Sequence, residues 1–208
     1  YDRGIMVPFT VEATGTDVVA MVVNGNGKPE AGDDHKYDRD DSKSFAGRIN
    51  QDIAGVATLG VFGFWGQEHL NETGDPVHEN DVTYYGIDAT FSLDGYVDFT
   101  GQYLQREDSS PLLADPAVTD AKTDGIVLEI VIAPQQDRSR HYFTLLYNNV
   151  DSDLDASDYE SYTAGATYLL WRNLRLAAEY TLIKTAGDPA AWGREDIGRT
   201  SLGVVSAF

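Results

Sequence analysis

Residues 199–208, Arg-Thr-Ser-Leu-Gly-Val-Val-Ser-Ala-Phe, leave few folds open. Leu202, Val204 and Phe208 fall on one parity, broken only by Ser206, while Gly203, Val205 and Ala207 fall on the other. Side chains of an extended chain alternate between two faces. A two-residue period carried to the final residue therefore predicts a strand that ends on an aromatic, apolar face.

The same period recurs through ten or eleven segments, and almost none of the chain reads as helix. In 173–183, Leu174, Leu176, Ala178, Tyr180 and Leu182 oppose Arg175, Ala177, Glu179 and Thr181. In 159–171, Tyr162, Ala164, Ala166, Tyr168 and Leu170 oppose Thr163, Gly165, Thr167 and Leu169. Segments 123–133, 83–92 and 96–106 repeat the pattern, with Ile126 and Leu128 opposite Glu129, Tyr85 and Phe91 opposite Asp88, and Phe99 and Tyr103 opposite Asp98 and Gln102. Segment 141–150 alternates more ambiguously, and 56–66, 44–50, 17–25 and 2–11 follow loosely.

Connection lengths carry the second signal. Counted back from Phe208, long connections (184–198, 151–158, 107–122, 67–81, 26–43) alternate with shorter ones (171–173, 134–140, 93–95, 50–55, 12–16). An antiparallel meander with tight turns at one end and long loops at the other is the organisation of a transmembrane β-barrel. The fold expected is thus all-β: a transmembrane antiparallel up-and-down β-barrel, forming a single domain over residues 1–208. The long loops would face outward and the tight turns the periplasm.

The charge of −19 fits that division. Of the 34 acidic residues, 24 fall in 28–43, 68–81, 107–124, 151–160 and 188–196, all read as connections. No basic stripe exists to neutralise phosphates, which excludes nucleic acid as a partner. No stretch approaches the ~18 apolar residues of a membrane helix. The chain has no cysteine, so disulfides play no part in holding it. Trp65, Phe91, Tyr103, Tyr162, Tyr168 and Tyr180 lie on the apolar parity, mostly near segment ends, where an interfacial aromatic girdle belongs.

Eleven strands ending in the periplasm would put residue 1 outside, whereas bacterial single-chain barrels have even strand numbers. An open sheet would also leave unpaired edges in lipid. The chain is therefore expected to be the C-terminal portion of a longer barrel of 16 or 18 strands.

Two local patterns resemble a known family. Asp17-Val-Val-Ala-Met-Val-Val-Asn-Gly-Asn-Gly27, then an acidic loop and Ser44-Phe-Ala-Gly-Arg-Ile49, resemble the middle of the phosphate-selective porin O and P family, as does the ending Leu202-Gly203-Val204 to Phe208. The resemblance implies an outer-membrane porin of a Gram-negative cell. It departs from anion-selective members because the inward set is mixed in charge: Arg48, Arg106 and Arg175 stand beside Asp88, Asp98, Glu129 and Glu179.

Other chemistry finds little support. His35, His69, His78 and His141 show no zinc-type spacing. Asp151-x-Asp153-x-Asp155 opens like a calcium loop, but Ala156 stands where Gly is required and Tyr162 where the bidentate Glu belongs. No nucleophile elbow or catalytic triad appears. The expectation is a non-enzyme without cofactor or bound metal.

The function expected is a water-filled channel for passive diffusion of ions and small polar solutes, lined by Arg48, Asp88, Asp98, Gln102, Glu129, Arg175 and Glu179. Phe208 would serve as the C-terminal signal read by the barrel assembly machinery. Expected partners are outer-membrane lipid and lipopolysaccharide, a homotrimer by family analogy, and, in the housing alternative, another envelope protein. Two alternatives stay open: a structural barrel housing a cytochrome or lipoprotein, and a soluble acidic β-sandwich that binds carbohydrate or calcium.

Overall fold

Alternation becomes a ladder of eleven strands in a computed structural model, which describes residues 3–24, 42–70, 78–112, 118–154, 157–185 and 196–206, the side chains of His69, Leu70 and His78 excepted. The strands are β1 (Arg3–Val11), β2 (Thr16–Asn24), β3 (Ser44–Ile53), β4 (Ala57–Leu70), β5 (His78–Leu93), β6 (Val97–Asp108), β7 (Ala121–Ile132), β8 (His141–Ser152), β9 (Tyr159–Trp171), β10 (Leu174–Thr185) and β11 (Asp196–Ser206). Each is hydrogen-bonded to its sequence neighbour in an antiparallel, up-and-down order, β1 to β11, with no crossover. The expected terminal residue Phe208, most of the 26–43 connection and Asp155 of the calcium-like run lie outside the described residues.

Two of the tight turns have a clear local cause. Val56 N–H donates to the Ile53 carbonyl (3.1 Å) across Ala54 and Gly55, both at positive φ (55° and 69°). Tyr96 N–H donates to Leu93 (2.8 Å) across Asp94 and Gly95, at φ 48° and 71°. Two central residues at positive φ define the two-residue turn whose twist matches antiparallel strands, and Asp-Gly is among its preferred sequences. The connection after β7 is longer, and a single 3-10 turn, Gln136–Arg138, interrupts it. There the Arg140 guanidinium donates to the carbonyls of Leu169 (3.1 Å) and Leu170 (2.6 Å).

Several strands outrun the sequence expectation at the end that carries the long connections. β4 continues to Leu70 and β5 begins at His78, inside the 67–81 stretch read as a loop. The alternation signal fades there because both faces are polar, yet the backbone ladder continues. Gln67 Nε2 donates to Asp81 Oδ1 (2.7 Å), a side-chain rung laid over the main-chain ones.

The chain divides into two compact units. One comprises residues 1–52, 59–87 and 104–124. Within it β1, β2 and β3 form rows Phe9–Val18–Ile49, Val7–Ala20–Gly47 and Ile5–Val22–Phe45 on one face. The other face carries Thr10–Asp17–Asn50 and Pro8–Val19–Arg48. The second unit comprises residues 53–58, 88–103 and 125–208 and contains all of β8–β11. A sandwich would bury its apolar faces against a second sheet. Here Ile5 is 73% exposed and Leu202 82%, so the soluble-sandwich alternative is set aside.

Gly95→Val should destabilise the protein by about 1–2 kcal/mol, because an L side chain at positive φ clashes with the following carbonyl. Ala54→Gly should be neutral or stabilising for the same reason. Thermal unfolding midpoints of the two variants in detergent would test this, and an unchanged midpoint for Gly95→Val would contradict the turn assignment.

Candidate functional site

Strands β8–β11 place their side chains in registered rows. From the long-connection end, one face reads Glu160–Lys184–Asp196, then Tyr147–Tyr162–Leu182–Gly198, Leu145–Ala164–Tyr180–Thr200, Phe143–Ala166–Ala178–Leu202 and His141–Tyr168–Leu176–Val204. A charged row is followed by a tyrosine row, two largely apolar rows and a second aromatic row. From Tyr162 to Tyr168 the uncharged rows span about 20 Å along the strand at ~3.4 Å per residue, near the ~25 Å apolar band of a membrane barrel.

The opposite face of the same strands is more polar. Its rows are Asn148–Ser161–Ile183–Ile197, Leu146–Thr163–Thr181–Arg199, Thr144–Gly165–Glu179–Ser201 and Tyr142–Thr167–Ala177–Gly203, with Arg175 between Leu169 and Val205. Thr163 and Thr181 share a hydroxyl hydrogen bond (2.8 Å), and Asn148 Nδ2 donates to Ser161 Oγ (3.1 Å). Arg175 and Glu179, both expected to line a pore, sit on this face, one strand-parity away from Tyr180.

Elsewhere in this unit Asp98 lies beside the Asp94–Gly95 turn and accepts from Ser92 Oγ (2.5 Å). Asp88, Gln102 and Glu129 are half-buried on β5, β6 and β7. They alternate with exposed Ile87, Phe99 and Leu128. In the other unit Arg48 lies over the Phe62 ring, 5.7 Å from its centroid.

The aromatic residues take distinct roles. Trp65, Phe91, Tyr162 and Tyr180 are exposed. Tyr168 stacks on His141 (4.8 Å between centroids) with the Arg140 guanidinium 5.4 Å above its ring. Tyr103 is half-buried. Tyr180 leans toward the long-connection end, its hydroxyl 2.9 Å from where a Cβ of Gly198 would stand. That reach brings a mid-sheet hydroxyl up to the level of Tyr147 and Tyr162. There Tyr147 (3.0 Å) and Tyr162 (2.6 Å) both donate to Glu160 Oε1.

A polar knot in the first unit escaped the sequence reading. Arg106 Nε and Nη2 clasp the two oxygens of Asp108 (2.6 and 2.7 Å). Asn80 Nδ2 donates to Asp108 Oδ1 (2.8 Å), and Ser110 N–H donates to Asn80 Oδ1 (2.9 Å). Asn80 is 1% exposed, and Ser44, Glu68 and Asp108 are also buried, with Phe64 stacked on Tyr84 at 4.5 Å beside them. Arg106 was read as inward, but Glu68, Asn80 and Asp108 fell in presumed loops. Carrying strand parity past the last apolar residue would have put all four on one face.

Among the described residues no group of three or more His, Asp or Glu is placed to hold a metal ion. No helix of the described residues is long and apolar enough to cross a membrane, which says nothing of strands.

A family model described as "Gram-negative porin" matches residues 6–188. Among solved structures the chain is similar to OmpT, an outer membrane protein of Vibrio cholerae, folded in vitro and in trimer form, with 15% identity and a TM-score of 0.61 over 88% of this chain and 54% of that one. It is also similar to the loop L8 deletion mutant of that protein, at 17% identity and TM-score 0.54 over 97% of this chain and 62% of the other. The chain thus spans 54% to 62% of the length of these structures. A comparison with curated protein sequences returned no match.

Two substitutions separate the faces. Leu145→Arg places a charge in the middle apolar row and should cost about 2–4 kcal/mol in a bilayer, whereas Thr144→Arg on the polar face should cost less than about 1. Urea unfolding in lipid vesicles measures both, and equal costs would contradict the face assignment. In the knot, Asn80→Ala leaves the Ser110 N–H without its acceptor and should destabilise by about 1–3 kcal/mol in the same assay.

Proposed function

The chain belongs to the Gram-negative porin family, and on that premise we propose that it forms part of a water-filled channel through which ions and small polar solutes diffuse. Its place is the bacterial outer membrane and its fold a porin-type β-barrel. The observation that carries the channel reading is the segregation of rows across β8–β11. One parity is largely apolar over four successive rows, and the other carries Arg175, Glu179, Arg199 and a run of threonines and serines. Lipid rewards the first face and water the second.

Arg48, Asp88, Asp98, Gln102, Glu129, Arg175 and Glu179 are proposed to line the water-filled interior. Arg106 with Glu68, Asn80 and Asp108 joins them as a packed polar patch on β4–β6. Acidic and basic groups on one lumen wall set a transverse field that favours small polar solutes over apolar ones. The acidic long connections, part of a chain of net charge −19, bias entry toward cations. Transport by passive diffusion needs no catalytic group, and a non-enzyme role follows from the same reading.

The exposed aromatics Trp65, Phe91, Tyr162 and Tyr180, with Tyr103 and Tyr168, are proposed as the interfacial girdle, in contact with lipid and lipopolysaccharide. Phe208 is proposed as the signal for the barrel assembly machinery. A trimer is the assembly to test first, since a trimer form is named for the similar V. cholerae protein.

Planar-bilayer conductance of the full-length protein tests the channel. The expected result is an open, cation-preferring pore, with Glu129→Gln and Glu179→Gln together lowering the cation-to-anion permeability ratio by about two- to fivefold at low salt. A closed barrel that copurifies with a haem-absorbing or lipoprotein partner would replace the channel by a housing role. A strongly anion-preferring pore would overturn the selectivity.

A further inference from the structure

On β1–β3 the face that carries Arg48 is not polar throughout. Its registered rows are Gly4–Val23–Ser44, Met6–Met21–Ala46 and Pro8–Val19–Arg48, followed toward the tight-turn end by Thr10–Asp17–Asn50. Met6 is 60% exposed, and Val19, Met21, Val23 and Ala46 are half-buried. Phe62 adjoins this strip on β4, under the Arg48 guanidinium. The other face of the same strands already offers lipid Ile5, Val7, Phe9, Val22, Phe45 and Ile49, all exposed. The strip is therefore not needed to seat the sheet in a bilayer. An aliphatic surface on the wall of a water channel costs hydration free energy with no return until something apolar rests against it.

The charge at the edge of the strip is balanced. Arg48 and Asp17 are the two charged groups in these four rows. Asp17 pairs with Asn50, two residues from Arg48, so the two stand diagonally across the β2–β3 pair, about 7–8 Å apart at the backbone. Thr10 Oγ1 donates to Asp17 Oδ1 (2.6 Å) and fixes that carboxylate, while the Phe62 ring lies 5.7 Å below the Arg48 guanidinium carbon. A solute with a single charge meets attraction from one of these groups and repulsion from the other. A zwitterion with its ammonium and carboxylate on one carbon satisfies both, and its side chain then falls on the aliphatic rows.

We infer that this strip selects α-amino acids with apolar side chains, the carboxylate turned to Arg48, the ammonium to Asp17 and the side chain over Val19, Met21 and Ala46. The inference rests on the channel reading above and names a solute class for it. Such a solute is small, soluble and strongly dipolar, so the transverse field orients it as it does any polar solute. Being net neutral, it does not depend on the acidic mouth for entry. Contact with the strip is shallow and spread over several rows, which favours entry without trapping the solute.

The test reconstitutes the full-length protein in liposomes and measures swelling in isotonic L-leucine and L-asparagine, zwitterions of nearly equal size, with protein-free liposomes subtracted. Wild type should admit leucine about fivefold faster than asparagine, the factor that half-burial of a leucine side chain supplies. Met21→Ser combined with Val19→Thr should bring that ratio to about one. Asp17→Asn and Arg48→Gln should each slow both solutes by about threefold, the size of one exposed charge interaction. Val22→Thr, on the opposite face of β2, should keep the fivefold ratio. Equal rates in wild type overturn the proposal, as does a ratio that survives Met21→Ser with Val19→Thr. Undiminished rates in both charge variants overturn it too, and so does a ratio lost in Val22→Thr, which would assign the effect to the fold. Heat-modifiable gel migration confirms folding of each variant, and KCl conductance is recorded on the same samples. A conducting pore with equal swelling rates defeats this inference alone, whereas a barrel that does not conduct defeats the channel and this inference with it.

Discussion

Everything described depends on the backbone ladder. In hydrocarbon a peptide N–H or C=O finds no partner except another peptide, so the chain must pair along its whole crossing length. Once the ladder is fixed, side chains have only two directions to take. A slip of one residue would exchange them all, turning Glu179 and Arg175 to the face that now carries Tyr180 and Leu176. The turns at Ala54–Gly55 and Asp94–Gly95 therefore do more than reverse the chain. By allowing only one loop length they fix the register of β3 with β4 and of β5 with β6.

The polar knot and the tyrosine–carboxylate cluster show two ways of settling charge at the same ends of the strands. Asn80 and Asp108 are buried, as are Phe64 and Val82 in the same unit, and the buried polar atoms find one another. Around Glu160 the groups stay near solvent, and two tyrosines supply donors without closing over the carboxylate. The first arrangement favours rigidity, because each member lost strands another. The second keeps Lys184 in a row between two carboxylates, Glu160 and Asp196, with its ammonium over the Tyr162 ring.

Sequence alone disclosed the strands whose alternation is forced by unlike solvents on their two sides. Segment 159–171 was expected as a strand and β9 has those bounds; 173–183 became Leu174–Thr185 with the same faces. Legibility failed where both sides are polar. Residues 67–70, 78–81 and 107–108 pair as strand, yet nothing in Gln67, Glu68, Asn80 or Asp108 distinguishes a ladder in water from a loop. The knot was hidden for that reason, since its members lie beyond the last residues that reveal parity. The 3-10 turn at Gln136–Arg138 was equally silent, because one turn is shorter than any helical period. Cross-strand partners are silent too, since only register brings Ala166 opposite Ala178.

Two glycines carry a last consequence. Phe64 lies against Gly66 on its own strand, and the Tyr180 hydroxyl rests over Gly198 on the neighbouring one. In each case the ring occupies the volume a side chain at the glycine would need. Such partners are not free to drift independently over descent. A larger residue at Gly198 has to displace the Tyr180 hydroxyl, and loss of Tyr180 uncovers the backbone at Gly198. The two positions share one space, so a change of size at either is felt at the other.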